Sequence, residues 1–219
     1  MPGQTLWEMF TSKLGQKTAQ APAYYNPLDC QIGSAVLLDE TAQQYQGYQF
    51  SVQSILETNR NLNGQVFKFT DYVLLGNNVK GEQLTLRLRC VPLHGAQPQN
   101  GASQYSRILL KLEDEFKYDP GFIDVVNDES GEFNISDDKS EEQMTFERIN
   151  GTKGSFSTVV RELTATKAEG AVAPDKETHF PSEYWDFWRD GKTGKEYVFV
   201  ELSTENGWIQ IWRGADYLA

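Results

Sequence analysis

The stretch from Tyr184 to Gly214, YWDFWRDGKTGKEYVFVELSTENGWIQIWRG, decides the fold that this sequence predicts. Its residues alternate with the two-residue period of a β-strand, most clearly from Tyr197 to Leu202 and from Trp208 to Trp212. The pairs Asp190-Gly191 and Asn206-Gly207 separate the runs, and both supply the positive φ angles of a tight hairpin turn at low cost. The stretch therefore predicts three antiparallel β-strands joined by two turns.

Four of the five tryptophans lie in this stretch, at positions 185, 188, 208 and 212. Each tryptophan can bury on the order of 200 Å² of surface, so one interpretation is that they build a hydrophobic core. The alternative is an exposed aromatic platform that binds a sugar ring, another small ligand or a partner peptide. Its candidate ligand-binding residues are Tyr184, Trp185, Trp188 and Arg189.

The whole chain divides into four predicted regions. Residues 1–25 contain a short amphipathic helix, from about Leu6 to Leu14, and a linker. Residues 26–112 form a first β-module with tight turns at Asn63-Gly64 and Gly76-Asn77-Asn78. Residues 113–145 form an acidic connecting segment, and residues 146–219 form a second, Trp-rich β-module. The apolar helix face needs a cover, which could be the protein body, a second copy of the chain, a partner's groove or, least expected, a membrane surface.

The two β-modules have the pattern of a degenerate duplication. Phe50 to Thr58 resembles Phe156 to Thr164, and each run is followed by a polar loop and then an aromatic–aspartate group, Thr70-Asp71-Tyr72 or Trp185-Asp186-Phe187. The predicted fold class is mainly β. It consists of two related small antiparallel β-barrel-like or curved-sheet modules, a short N-terminal amphipathic helix and the acidic connecting segment.

All of the net charge of −11 is concentrated in one segment of the chain. From Glu113 to Glu147 there are 13 acidic residues and 2 lysines, whereas the remainder has 18 acids and 18 bases. This balance argues against binding to nucleic acid or to an anionic membrane, and it favours a protein partner with a basic or apolar surface. The candidate partner-binding residues are Glu113, Asp114, Glu115, Asp137, Asp138, Glu141 and Glu142.

A basic strand face offers one place within the chain for these acids to bind. Leu84, Leu86 and Leu88 alternate with Thr85, Arg87 and Arg89, which predicts a half-buried strand. We expect its basic face to meet the acidic segment.

The order of elements also carries a resemblance. The Phe50-Ser51-Val52 strand, a polar loop, the run from Phe69 to Leu75 and the strand from Asn206 to Trp212 resemble an uncharacterised family of bacterial β-rich domains, known only as a domain of unknown function. Members of that family are often encoded near genes for phage-shock-type membrane-stress proteins and aminopropyltransferase-like proteins. The resemblance implies an accessory or adaptor role in a bacterial envelope-stress system, and it supplies no active-site residues.

Catalytic chemistry has little support in the sequence. A nucleophile and base could come from Cys90 and His94, but such a pair also needs an orienting group and oxyanion donors. The carboxylates Asp71, Glu183, Asp186 and Glu201 could supply the pair that a glycosidase needs, although acids are abundant throughout the chain. No phosphate-binding loop, nucleophile elbow or zinc-protease motif occurs. We therefore expect no catalytic residues, although enzymatic activity stays open.

Metal binding and a disulfide are also weakly indicated. Cys30 and Cys90 are far apart and lack metal-ligand spacing, so we expect two reduced, buried thiols, with a disulfide as the alternative. The run Asp128-Glu129-Ser130-Gly131 lacks the spacing of a calcium-binding EF-hand loop and predicts a hairpin turn. No metal or other cofactor is expected.

The sequence thus predicts a non-enzymatic interaction or adaptor module, with carbohydrate or small-ligand binding as the alternative. No run of about 18 apolar residues and no secretory leader pattern is present, so a cytoplasmic location without a membrane span is expected.

Overall fold

Eleven β-strands, paired antiparallel in one sheet, make up most of the chain that the computed structural model describes. The described residues are 28, 30–38, 40–62, 65–92, 105–136, 143–149, 152–164, 181–192 and 194–217. The strands are β1 Ala35–Val36, β2 Tyr48–Leu62, β3 Gln65–Asn78, β4 Gln83–Pro92, β5 Tyr105–Lys117, β6 Glu132–Ser136, β7 Gln143–Arg148, β8 Ser155–Thr164, β9 Pro181–Asp190, β10 Lys195–Ser203 and β11 Trp208–Asp216. A 3₁₀-helix, η1, spans Glu40–Tyr45, and an α-helix, α1, spans Pro120–Val126.

Eight of these strands close into an antiparallel barrel. Strands β2 to β5 form one meander and strands β8 to β11 form another. Two seams join the meanders, because β2 pairs with β8 and β5 pairs with β11. The two predicted β-modules therefore do not form separate sheets, since backbone hydrogen bonds join their strands along both seams.

The meander predicted from Tyr184 to Gly214 is confirmed by β9, β10 and β11. The turn from β9 to β10 begins at Asp190-Gly191, where the Gly191 N–H donates to the Gly194 carbonyl at 2.8 Å. In the turn from β10 to β11, Gly207 has the positive φ of +68° that the Asn-Gly pair predicts. Phe199 lies opposite Asp186 on β9 and opposite Trp212 on β11, which fixes the register of all three strands.

The turn predicted at Gly76-Asn77-Asn78 is wrong, because β3 continues through these residues. The chain turns after Asn78, and Gly81 supplies the positive φ of +80°. Gly76 instead makes room for a ring, since a Cβ atom at this position would lie 2.3 Å from Cε1 of Phe50. The glycine at this position is needed for packing and not for the turn.

Two groups of elements cover the outside of the barrel. The segment containing β1 and η1 packs against apolar side chains of β2, β3 and β4, among them Val52, Tyr72 and Leu86. Helix α1 with strands β6 and β7 packs against β9, β10 and β11, where Phe133 stacks on Phe187 with ring centroids 5.1 Å apart. The barrel wall is therefore apolar on its outer side at both places.

The predicted acidic connecting segment contains defined secondary structure. It includes the end of β5, helix α1, strand β6 and the start of β7. Asp119 caps α1 by accepting a hydrogen bond from the Gly121 N–H at 2.8 Å. The chain turns at Asp128 to Gly131, with Gly131 at a φ of +71° and its N–H 3.2 Å from the Asp128 carbonyl. The hairpin predicted here is wrong, because this turn joins helix α1 to strand β6 and not two strands.

Several sequence predictions lie outside the described residues. These are the N-terminal helix with its linker, the Asn63-Gly64 turn, both histidines and the acids Asp137, Asp138, Glu141 and Glu142. The pairing of Leu62 with Gln65 nevertheless shows that β2 and β3 form a hairpin. In the part of the chain that is described, no helix has the length and apolar character needed to cross a membrane.

Candidate functional site

The interior of the barrel contains six buried charged side chains, here called the interior charge cluster. Strand alternation directs them inward, and the walls of the barrel hold them together. The cluster consists of three basic and three acidic side chains: Arg60, Arg87, Arg89, Asp71, Asp186 and Glu201. Their side-chain exposure ranges from 2% for Asp71 to 17% for Glu201, and their formal charges cancel.

Glu201 is the centre of this cluster. Its carboxylate accepts from Arg87 Nη1 at 2.7 Å and from Nη2 of both Arg89 and Arg60 at 3.1 Å. Arg60 also donates to Asp186 Oδ2. Arg89 holds Asp71 through two hydrogen bonds of 2.9 Å, in the bidentate geometry that favours an arginine–carboxylate pair.

Aromatic rings pack against the guanidinium groups. The Arg60 guanidinium carbon lies 3.8 Å from the centroid of the Tyr184 ring. The corresponding distances are 3.9 Å from Arg87 to Trp212 and 4.3 Å from Arg89 to Phe69. Each arginine is thus held by a carboxylate and an aromatic face, and the three arginines, their carboxylates and these rings share the interior.

The pKa values in the cluster reflect burial and the fixed arginines. Burial would raise the pKa of Glu201, but Arg87, Arg89 and Arg60 together hold it well below its usual range. Burial raises the pKa of Asp186, and Arg60 and Arg89 offset only part of that rise. The structure thus places two carboxyl groups of opposite pKa shift in one cluster.

Three of the four carboxylates considered for glycosidase chemistry are brought together here. Asp71, Asp186 and Glu201 lie in the barrel interior, whereas Glu183 lies next to Tyr184 on β9 and on the other side of that strand. All three interior carboxylates are occupied by arginines. The interior acids and arginines therefore neutralise one another in an ion-pair network, and this arrangement differs from a pair of carboxylates that flank a substrate.

The residues of the predicted aromatic platform do not share one exposed face. Tyr184 and Trp185 are adjacent on β9, so their side chains point to opposite sides, and their exposures are 1% and 0%. Trp185 belongs to the outer apolar cluster and donates from Nε1 to Asn127 Oδ1 at 2.9 Å. Trp188 is half-buried with Lys195 Nζ 4.2 Å from its ring, and Arg189 pairs with Glu196. For Trp185, the core interpretation is the one that its burial supports.

The predicted contact between the basic face of β4 and the acidic segment is wrong. Arg87 and Arg89 point into the barrel and bind the interior carboxylates. Sequence alternation identified the two faces of β4 correctly, but it assigned the wrong environment to the polar one. The available signal was the position of Asp186 and Glu201, each between two apolar residues of a predicted strand.

The acids of the segment from Glu113 to Glu147 are arranged in the opposite way. All nine that the structure describes are exposed: Glu113, Asp114, Glu115, Asp119, Asp124, Asp128, Glu129, Glu132 and Glu147. We call these nine residues the exposed acids. The described base within the same segment, Lys117, is also exposed. Arg148, the residue that follows, donates to the carbonyls of Val126 and Asp128 at 2.7 Å, so it supports the fold of this region.

Cys30 and Cys90 are thiols that no disulfide joins to each other. Cys90 is buried as expected, whereas Cys30 is half-buried and donates to the Leu28 carbonyl at 3.6 Å. Burial raises the pKa of Cys90 to about 12, so this thiol is protonated at neutral pH and is a poor nucleophile. Among the described residues, no group of three His, Cys, Asp or Glu side chains is placed to hold a metal ion.

Comparison of the chain with protein-family models, with curated proteins and with solved structures finds no match.

Proposed function

We propose that this chain is a cytoplasmic, non-enzymatic interaction module that binds a partner with a basic surface. The observation that carries the proposal is the contrast between its two sets of charges. The interior charge cluster is neutral and each of its members is ion-paired within it, whereas the nine exposed acids are accompanied by one lysine among the described residues from Glu113 to Glu147. The negative charge available to a partner is therefore concentrated on one segment of the chain.

Apolar side chains next to the exposed acids support the same function. Tyr118 lies just before α1 and Val125 lies within it, and each is 52% exposed. Asp119 and Asp124 are their neighbours in sequence and are also exposed. A surface that mixes acids with large apolar groups favours a partner that carries both basic and apolar side chains, because charge steers the encounter and apolar burial stabilises the complex.

The setting of this module is also a proposal. The resemblance to bacterial domains encoded near membrane-stress genes favours an adaptor in an envelope-stress system. Ligand binding on an aromatic platform has less support, because Tyr184 and Trp185 are buried on opposite sides of β9.

The experiment is capture on the immobilised full-length chain from the native lysate at low salt, followed by elution with increasing salt. We expect a dominant basic partner that elutes by about 0.3 M salt, where the screening length is below ~8 Å. A fourfold variant, Asp124→Asn, Glu129→Gln, Glu132→Gln and Glu147→Gln, should lose this partner.

A control variant with the same change in net charge separates position from total charge. It carries Glu82→Gln, Asp190→Asn, Glu205→Gln and Asp216→Asn, all outside the segment from Glu113 to Glu147. It should retain the partner. Equal loss from both variants, or a partner that stays bound at high salt, would contradict the proposed role of the exposed acids.

A further inference from the structure

Strand β6 lies at one end of the strand order among the described residues. It pairs with β7 on one side, and among the described residues no strand pairs with its other side. The Arg148 N–H donates to the Gly131 carbonyl at 2.7 Å, which identifies this opposed pair as a hydrogen-bonded one. Hydrogen-bonded and non-hydrogen-bonded pairs alternate along an antiparallel ladder. The N–H and carbonyl groups of Phe133 and Ile135 therefore point towards β7, and those of Asn134 point away from it.

The backbone hydrogen bond of Glu132 agrees with this alternation. The Glu132 N–H does not donate to β7 but to Ser130 Oγ, at 3.2 Å. The N–H and carbonyl of Asn134 thus point away from β7, to the side on which no strand pairs with β6 in the described part of the chain. These groups form a template to which another strand can add.

We propose that β6 binds an extended partner segment by strand addition, and that this segment alternates basic and apolar residues. The proposal rests on the proposed function, because it specifies how the basic partner would bind.

The two faces of β6 differ in chemistry. Glu132 is exposed and lies opposite Glu147 on β7, so one face of an added strand would lie beside carboxylates. Phe133 and Ile135 point to the other face, where Phe133 meets Phe122 of α1 with ring centroids 6.1 Å apart. Since side chains of a strand alternate between faces, a segment with basic residues at every second position and apolar residues between them fits both.

A second copy of the chain fits this edge less well. From Asp128 to Glu147 the sequence has eight acids and one lysine, so two such edges would bring like charges together. Like charges on paired strands are destabilising, and edge charges commonly protect proteins from self-association. The same charges attract a basic segment.

The test uses a fluorescein-labelled nine-residue peptide that alternates lysine and valine, with fluorescence anisotropy at low salt as the measurement. A second peptide has the same side chains but an N-methyl group on every amide, so it keeps the charge and neither of its edges can pair with a strand. We expect the wild-type chain to bind the first peptide about tenfold or more tightly than the second, as the loss of one or two hydrogen bonds predicts.

Two variants test the edge of β6 itself. Asn134→Pro removes the outward N–H, and an edge position whose N–H points away from the sheet tolerates proline. Asn134→Ala keeps the backbone donor and removes the side chain. The proline variant should lose about tenfold in affinity, and the alanine variant should stay within about threefold of wild type. Thermal melting shows whether both variants remain folded.

The outcomes separate the two proposals. Equal affinity for both peptides, or equal affinity of both variants for the first peptide, would show binding by charge alone and overturn strand addition at β6. The role of the exposed acids would then stand. Absence of binding to either peptide at low salt would contradict both proposals. If Asn134→Pro does not fold, the comparison of the two peptides on wild-type protein still decides.

Discussion

Arg60 on β2 and Glu201 on β10 form an ion pair of 3.1 Å although their strands are not neighbours in the sheet. Strands β8 and β9 lie between them along the barrel wall. The pair therefore crosses the barrel interior, and it exists only because the barrel is closed. Glu201 joins Arg87 of β4 in the same way.

Replacing Glu201 by glutamine should strongly destabilise the protein. The change leaves three buried guanidinium groups without the carboxylate that they share, and loss of one partner of a buried pair costs about 3 to 5 kcal/mol. Urea unfolding followed by tryptophan fluorescence would measure the free energy of unfolding. The control is Glu205→Gln at an exposed turn position, which should change stability by at most about 0.5 kcal/mol. Equal stabilities of the two variants would contradict the role given to Glu201.

Acid should reduce the difference in stability between wild type and Glu201→Gln. The pKa of Glu201 is lower in the folded state, so its contribution is complete above its unfolded pKa of about 4.3 and is lost as pH falls from there towards the folded pKa. Urea unfolding at pH 7, 5, 4 and 3 should show that the difference in free energy of unfolding between wild type and Glu201→Gln becomes smaller below about pH 4. If this difference in free energy stays constant over the pH range, Glu201 does not stabilise the fold through its charge.

Asp186 should have the opposite dependence on pH. Burial raises its pKa in the folded state, so ionisation of this carboxyl group opposes folding above that pKa. Relative to Asp186→Asn, the wild-type protein should therefore gain stability as pH falls towards the unfolded value of about 3.9. The same urea series provides the measurement, and a loss of relative stability over that range would reverse the sign assigned here.

Gly76→Ala should destabilise the barrel by about 1 to 3 kcal/mol, the usual cost of overpacking. The added methyl group would clash with the Phe50 ring. Asn77→Ala, at the exposed neighbouring position, is the control and should be nearly neutral. In the Phe50→Leu background the cost of Gly76→Ala should fall, because the clashing ring is absent. The same cost in both backgrounds would rule out the contact with Phe50 as the cause.

Trp185→Ala should cost about 3 to 5 kcal/mol, because its side chain is fully buried in the outer apolar cluster. Trp188→Ala is the comparison, since the Trp188 ring is half-buried, and it should cost clearly less. Thermal unfolding measures both. A melting temperature of Trp185→Ala close to that of wild type would favour a binding role for this tryptophan over a core role.

The turns and the hairpins between neighbouring strands could be predicted from the sequence. The closure of the strands into a barrel could not. Asp190-Gly191 and Asn206-Gly207 mark two turns because glycine chemistry at a turn is a property of neighbouring residues. The seams have no such signal. Pairing of Ser54 with Thr164 joins residues that are far apart in the chain, and many strand pairs of similar pattern could have been chosen instead.

The candidate site shows the same limit. Strand alternation correctly separates Arg87 and Arg89 from Leu86 and Leu88, but it does not say which face points into the barrel when other elements cover the outer face. The aromatic platform is a different case, because the two-residue period already places Tyr184 and Trp185 on opposite sides of a strand. Glu113, Asp114 and Glu115 are exposed, whereas the interior acids have buried arginine partners, because a carboxylate without such a partner is costly to bury.

The two seams of the barrel also determine the order in which the protein can fold during synthesis. Strands β2 and β5 form the edges of the first meander, and their partners β8 and β11 leave the ribosome only after more than half of the chain has been made. Until then, Arg60 and Arg87 have no Glu201 to bind, and both edges remain open to other chains. Domains with such distant pairings fold slowly and expose aggregation-prone edges while they do so. The barrel can therefore close only once β11 has been made, because β11 completes the second seam with β5.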